Sequence, residues 1–299
     1  MSDKSLPVPA RKASAFAVAE RNSDQHIIDE LIEERCPSFV SHWTWPVVRP
    51  VLLSALGYRT AVRWADHMQE LGGVEAFNYL TKQLAVDLGV RNIERIPVTG
   101  RAVIVANHPT GLADGAAVWD LIMRVRRDAV FFANADAVRI TPGFADTIIP
   151  VEWVTDKRSP AKTRETLRLA GEAFAEEKCI IIFPSGKLAK KIDGKLSEQE
   201  WFTTALALAR KKKAPIIPLN ITAQNSWLYY LLSKLNGELR DITLFRELVN
   251  KKNARFDMTV GPVIDPASLV GGDVTELTER LRDYVSYQLP GAPDTVFEV

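Results

Sequence analysis

Val103-Ile-Val-Ala-Asn-His-Pro-Thr-Gly-Leu-Ala-Asp-Gly115 decides the reading of this 299-residue chain. An apolar run ends at Asn107-His108, a turn with Pro109 and Gly111 follows, and Asp114 opens the segment Asp114-Gly-Ala-Ala-Val-Trp-Asp-Leu-Ile. The run predicts a buried strand, and the segment after the turn predicts a helix. An imidazole leaving a strand end can be met by a carboxylate in the first turn of the next helix. Such a partner fixes the tautomer of the ring and suits it to general-base work near neutral pH. The competing reading makes Asp114 a helix-start charge and leaves Asn107 and His108 as turn formers.

Strands and helices alternate outward from this stretch, the mark of an α/β domain. Strands are expected over 92–96, 102–106, 129–133, 147–151, 180–183, 216–220 and 255–260. Several are continuous apolar runs, as strands buried on both faces require. Helices are expected over 114–126, 160–177, 198–212, 226–235, 242–251 and 274–287. Ser159-Pro160 and the capping-box pair Ser197/Glu200 mark two of their starts. Upstream, helical patterns cover 24–36, 58–71 and 74–88, the last two stopped at Gly72-Gly73 and Gly89. The expected fold is α/β, with a largely parallel central sheet flanked by helices and an N-terminal helical segment. The expected organisation is a mobile tail over 1–23, the helical segment over 24–88, the α/β domain over 89–290 and a short tail over 291–299.

Asn107-His108 with Asp114 resembles the Asn-His-x4-Asp signature of the glycerolipid acyltransferases that esterify lysophosphatidic acid and related lysolipids. Five residues intervene between His108 and Asp114 in place of four. That spacing is similar to a variant bacterial branch of hemolysin-like or ornithine-lipid acyltransferases. Ile180-Ile-Ile-Phe-Pro-Ser-Gly186 resembles the strand and Phe-Pro-Glu-Gly-Thr-Arg block of the superfamily, and Pro215-Ile-Ile-Pro-Leu219 its later Val-Pro strand. The resemblance spans roughly 75–265. It implies acyl transfer from acyl-CoA or acyl-carrier protein to a lysolipid, either lysophosphatidic acid or a lyso-ornithine-type lipid, with His108 and Asp114 as the general-base dyad and no cofactor. It also implies that Asn107 and the Ser185-Gly186 turn bind substrate; Lys187, Lys190 or Lys191 could meet an anion there as point charges, aided by the backbone N–H groups around Ser185-Gly186. Ser185 stands where the block has glutamate and Leu188 where it has arginine, which argues against a glycerol-phosphate acceptor. Gly143-Phe-Ala-Asp-Thr-Ile-Ile-Pro150 lacks the arginine of the Gly-x-x-Phe-Ile-x-Arg block. Arg158, ahead of the Ser159-Pro160 helix start, is the better substitute for it, and Arg164 the weaker.

Composition narrows the field. The chain is 46% hydrophobic and 25% charged with a formal net charge of +1, which gives no support to bulk nucleic-acid binding. The four histidines, 26, 42, 67 and 108, are scattered, and Cys36 and Cys179 have no metal or disulfide spacing. They read as a loop thiol and a buried filler. No leader pattern and no apolar run of about 20 residues is present, so a cytoplasmic protein, peripheral on the inner face of the cell membrane, is expected. The cluster Phe39 to Tyr58, with Trp43, Trp45 and Arg49, reads equally as a membrane-interface anchor and as packing.

In the expected chemistry His108 takes the proton of an acceptor hydroxyl or amine as it attacks a thioester carbonyl, and Asp114 supports the imidazolium. Trp119, Phe131, Phe132 and Phe144 are candidates for an acyl slot, although such aromatics are more often plain core. Two other classes fit fewer residues. A thioesterase or lipid hydrolase would use water or Ser185, yet Ser185 lacks a Gly-x-Ser-x-Gly elbow. A lipid-binding protein of the same fold would need no dyad.

Overall fold

A computed structural model of the chain describes residues 15–16, 25–152 and 157–299. The tail expected over 1–23 falls outside these apart from 15 and 16. Helices come first: α1 (Ile27–Arg35), α2 (Pro37–Val40), α3 (Trp45–Ala55), α4 (Tyr58–Gln69) and α5 (Gly73–Leu84). The alternating part then runs β1 (Asp87–Arg91), β2 (Ala102–Ala106), α6 (Leu112–Met123), β3 (Ala129–Asn134), α7 (Asp136–Ile140), β4 (Ile148–Val151), α8 (Pro160–Ala175) and β5 (Cys179–Ile182). A hairpin, β6 (Lys190–Ile192) and β7 (Lys195–Ser197), precedes α9 (Thr204–Lys212) and β8 (Ile216–Thr222). The chain closes through α10 (Trp227–Leu235), α11 (Gly237–Ile242), α12 (Leu244–Val249), β9 (Arg255–Val260) and α13 (Val274–Asp283), which continues as a π-helical turn over Tyr284–Gln288.

Seven strands form one sheet in the order β1-β9-β8-β2-β5-β3-β4. Every pairing is parallel except β8 with β9. The all-apolar β2 sits in the middle with all five side chains buried, as the sequence of a doubly covered strand predicts. Its alternation sends Ala102, Ile104 and Ala106 to one face and Val103 and Val105 to the other. The first face packs on Phe77 and Leu80 of α5 and on Ala113, Ala117 and Leu121 of α6. The second packs on Phe174 of α8, Leu206 of α9 and Leu277 and Leu281 of α13. A separate core joins Ile28, Leu31 and Ile32 of α1 to Leu53 of α3, Ala65 of α4 and Ile242 of α11.

Several expected elements move. The strand expected over 92–96 lies instead at Asp87–Arg91, because Asn92 turns left-handed and Ile93–Arg95 winds into a 3-10 turn. Gly89, read as a helix stop, is inside that strand, and α5 ends at the left-handed Ala85. The Ser197/Glu200 helix start is not formed, since Ser197 closes β7 and α9 begins at Thr204. The helix expected over 242–251 is shorter, Leu244–Val249, since Ile242 closes α11 and Thr243 separates the two helices. Ser159 does cap α8, accepting from the Lys162 amide with Pro160 behind it.

Arg126 fastens the amino-terminal edge of the sheet. Its side chain is 1% exposed, grips Asp128 at 2.6 and 2.7 Å, and donates to the carbonyls of Pro97, Gly100 and Glu177. These segments lead into β2, β3 and β5. Arg126→Met should therefore destabilise the fold by on the order of 3 kcal/mol in chemical denaturation, with the chemistry of the folded fraction unchanged.

A seam of ion pairs joins α1 to α7. Arg139 binds Glu34 at 2.8 Å and Arg35 binds Asp136 at 2.8 Å. The Arg139 and Lys157 side chains hold the Glu34 carboxyl at about 2 against the opposing effect of burial. A depressed carboxylate stabilises the folded state fully above its ordinary range and loses that contribution progressively as pH falls from there to the depressed value. Hydrogen-exchange protection in α1 should thus weaken steadily as pH falls from about 4.5 toward about 2.

Candidate active site

The strands β2, β5 and β8 run parallel side by side, so their following loops gather at one edge of the sheet. Asn107 comes first after β2. Its amide donates to the Ile221 carbonyl at 2.9 Å and accepts from the Ile221 N–H at 2.7 Å. The side chain thus imitates one more rung of the β2–β8 ladder and fixes the start of the turn. That commitment makes Asn107 a support for its neighbour and leaves less of it for substrate than the motif implies.

His108 is held by its main chain and aimed by its ring. The N–H donates to Glu198 Oε2 at 3.2 Å, and the carbonyl accepts from the Ala189 N–H at 3.0 Å. The ring stacks on Phe183 with centroids 4.3 Å apart. Nδ1 lies 2.9 Å from Asp114 Oδ2. That contact is close but falls short of a directional hydrogen bond, and Nδ1 has no other partner among the described residues. Asp114 is fully buried. Its carboxylate accepts from the N–H groups of Thr110 and Gly111 at 2.8 and 2.9 Å and from the Thr110 hydroxyl. Asp114 therefore closes the first turn of α6 and faces the imidazole as well.

Gly111 lets that turn exist. Its backbone, φ 89 and ψ −127, lies in a region open essentially to glycine alone. A Cβ there would also come within 3.0 Å of Leu188. Gly111→Ala should destabilise the protein by roughly 1–3 kcal/mol, measured by denaturation, and should lower the activity of what remains folded by displacing Asp114.

The turn after β5 closes the other side. Ser185 is buried, and its hydroxyl donates to the Lys187 carbonyl at 2.8 Å and also meets Glu198. Gly186 takes φ 56, with its N–H on the Phe183 carbonyl at 3.0 Å. Lys187 is exposed on the same turn. Ser185, Gly186 and Lys187 are thus brought to the edge that carries His108. Arg158 is not. It is exposed beyond edge strand β4, with its Nε on the Glu152 carbonyl at 3.1 Å. Three strand spacings, about 14 Å, separate β2 from β4. Arg164, on α8, follows the same edge strand.

The aromatic candidates for an acyl slot are core. Trp119 is 1% exposed, stacks on Phe77 at 4.5 Å and donates to Asn78 at 2.9 Å. Phe131 and Phe144 join the same cluster, and Phe132 is buried on the opposite face of the sheet. Cys36, expected in a loop, is buried between α1 and α2 like Cys179 in β5, and burial pushes the two thiols up to about 11 and about 12. Neither is a ready nucleophile.

Glu198 is the group that sequence reading missed. It is buried beside His108, and burial raises its carboxyl above the usual carboxylate range against bonds from Ser185, Trp201 and the His108 amide. The signal lay in Lys191-Ile-Asp-Gly-Lys-Leu196. An Asp-Gly pair between alternating residues marks a hairpin, and the hairpin delivers Glu198 to the site.

The Acyltransferase family profile matches residues 87–222, from β1 to the end of β8. The Lyso-glycine lipid O-acyltransferase of Phocaeicola vulgatus is 22% identical over 198 residues, covering 64% of this chain and 69% of that protein. The protein of that name in Bacteroides thetaiotaomicron is 22% identical over 198 residues, covering 64% of this chain and 71% of its own. Among solved structures, the 1-acyl-sn-glycerophosphate (LPA) acyltransferase PlsC of Thermotoga maritima aligns over 87% of this chain and 93% of that one, with 18% identity and a TM-score of 0.45.

Proposed function

We propose that this chain, which belongs to the glycerolipid acyltransferase superfamily and is an acyltransferase of the lysolipid type, uses His108 and Asp114 as its general-base dyad. The single observation that carries the dyad is the 2.9 Å approach of Nδ1 to a fully buried carboxylate at the end of the central strand. Among the described residues nothing bonds to Nε2, which leaves that nitrogen for an acceptor hydroxyl. In the reaction Nε2 takes the hydroxyl proton while the oxygen forms a bond to the thioester carbonyl carbon. The carbon–sulfur bond then breaks, and the thiol leaves with the proton from the imidazolium. Ser185 is ill placed to act as a hydrolytic nucleophile, because its hydroxyl engages the Lys187 carbonyl and Glu198.

The acceptor is a lysolipid whose headgroup contains an amino acid, of the lyso-glycine or lyso-ornithine type. Two observations support this over lysophosphatidic acid. The turn after β5 has neither the glutamate nor the arginine of the phosphate-binding block, and the similar curated proteins are named for a lyso-glycine lipid. Acyl-CoA or acyl-carrier protein supplies the acyl group. The test is transfer of labelled palmitate from each donor to lyso-glycine, lyso-ornithine and lysophosphatidic acceptors. Preference for lysophosphatidic acid would overturn the choice of acceptor, and release of free fatty acid alone would overturn transfer itself.

The membrane is met through α3 and the residue before its cap. Trp43, Val47 and Val51 are more than 70% exposed, whereas Trp45, Leu53 and Leu56 are buried. Arg49 faces inward, paired with Asp29 at 2.6 Å. The cluster is therefore both packing and anchor, divided by face. No helix among the described residues is long and apolar enough to cross a membrane. The double variant Trp43→Asp, Val51→Asp should lose most of its co-sedimentation with lipid vesicles while melting like the wild type. Unchanged sedimentation would remove this face from the membrane contact.

A further inference from the structure

The segment from Lys187 to Trp201 folds over the His108 turn and touches it at several points. Its Ala189 N–H holds the His108 carbonyl, its Glu198 carboxylate holds the His108 N–H, and its Leu188 side chain lies against Gly111. Gln199 ties the segment to itself by donating to the Leu188 carbonyl at 2.6 Å. Glu198 is the hub of this brace. Besides the His108 amide it accepts from Trp201 Nε1 at 3.1 Å and meets the Ser185 hydroxyl, and its own N–H donates to the Tyr287 hydroxyl at 3.0 Å. The His108 turn, the Ser185 turn and Trp201 of its own segment thus converge on one buried carboxylate, and Tyr287 holds its main chain. A carboxylate taken out of water carries a desolvation cost, so an apolar or amide side chain would serve a purely packing role at less expense. What an amide cannot supply is the negative charge, and His108 is within its electrostatic reach.

We propose that Glu198 is a positioning residue for His108. It fixes the main chain of the base and sets a second negative charge, beyond that of Asp114, toward the imidazolium that forms during transfer. The inference rests on the reading of His108 as the base. The titratable groups next to the pair are Asp114 at the start of α6 and Tyr287 on the C-terminal turn, with Lys187 exposed on the turn after β5.

The test compares Glu198→Gln and Glu198→Asp with the wild type, in the full chain. In Glu198→Gln, kcat should fall about tenfold or more while KM for the acceptor stays within about twofold. Loss of one negative charge leaves the imidazolium less favoured, so the acid limb of the kcat/KM profile should move to lower pH by about half a unit or more. Glu198→Asp keeps the charge and should return the limb to the wild-type position even if its kcat remains low. Stability separates this role from a structural one. Because burial raises the carboxyl, its ionised form costs folded-state stability that grows as pH climbs through the raised value. Glu198→Gln should therefore melt closer to the wild type, or above it, at pH 8 than at pH 5. Activity loss with an unmoved acid limb would overturn the proposal. An NMR titration of the His108 ring reads the same shift without any turnover. If the wild type transfers no acyl group, the function fails on that result alone, while the ring titration still decides the role of Glu198.

Discussion

His108→Ala should lower kcat/KM for acyl transfer by about 100 to 10,000-fold, the range typical for loss of a general base, or roughly 3–5 kcal/mol of transition-state stabilisation. The protein should remain folded, because the ring is partly open to solvent and the bonds that shape the turn come from the His108 main chain. Initial rates with labelled acyl donor, beside a thermal melt, check both halves of this expectation. Wild-type turnover in the alanine variant would remove His108 from the chemistry and with it the mechanism.

Asp114 is the second large effect, and two substitutions separate its duties. In Asp114→Asn one oxygen can still accept from the Thr110 and Gly111 amides, while the new NH2 faces the Thr110 hydroxyl, which can turn to accept. The turn should survive and the charge should not, so transfer should drop about 100-fold or more with only a small fall in Tm. Asp114→Ala removes charge and acceptor together and leaves buried N–H groups without partners. It should be destabilised by roughly 2–4 kcal/mol, and inactive. Equal activity of Asp114→Asn and wild type would reduce Asp114 to a cap.

The parts of the fold that sequence reading recovers are those governed by local pattern. Ala102–Ala106 and Cys179–Ile182 are continuous apolar runs and could only be buried strands or core helices. Their length and the turns that follow decide for strands. The parts it misses are those where distant residues outweigh propensity. Asp87-Leu-Gly-Val-Arg91 is a poor strand by composition, yet parallel pairing with Arg255–Thr259 makes it one. Ser197 and Glu200 satisfy a capping pattern, but the turn at Asp193-Gly194 has already committed Ser197 to a hairpin. The approach of His108 to Asp114 was legible because both lie on one strand-turn-helix unit. Glu198 was not, since its meaning comes from burial and from a partner 90 positions away.

The brace around the histidine has a consequence for motion. The peptide of His108 lies outside regular secondary structure, yet it is bonded at both its N–H and its carbonyl, and the Asn107 side chain is pinned to β8. Its amide proton should exchange with solvent far more slowly than those of the exposed hairpin tip, at a rate nearer to that of the central strand. A reacting group already immobile before substrate arrives loses little entropy in the encounter. On the proposed reading of His108 as the base, adaptation to lipids of different shape falls to the surrounding rim while the base itself stays still.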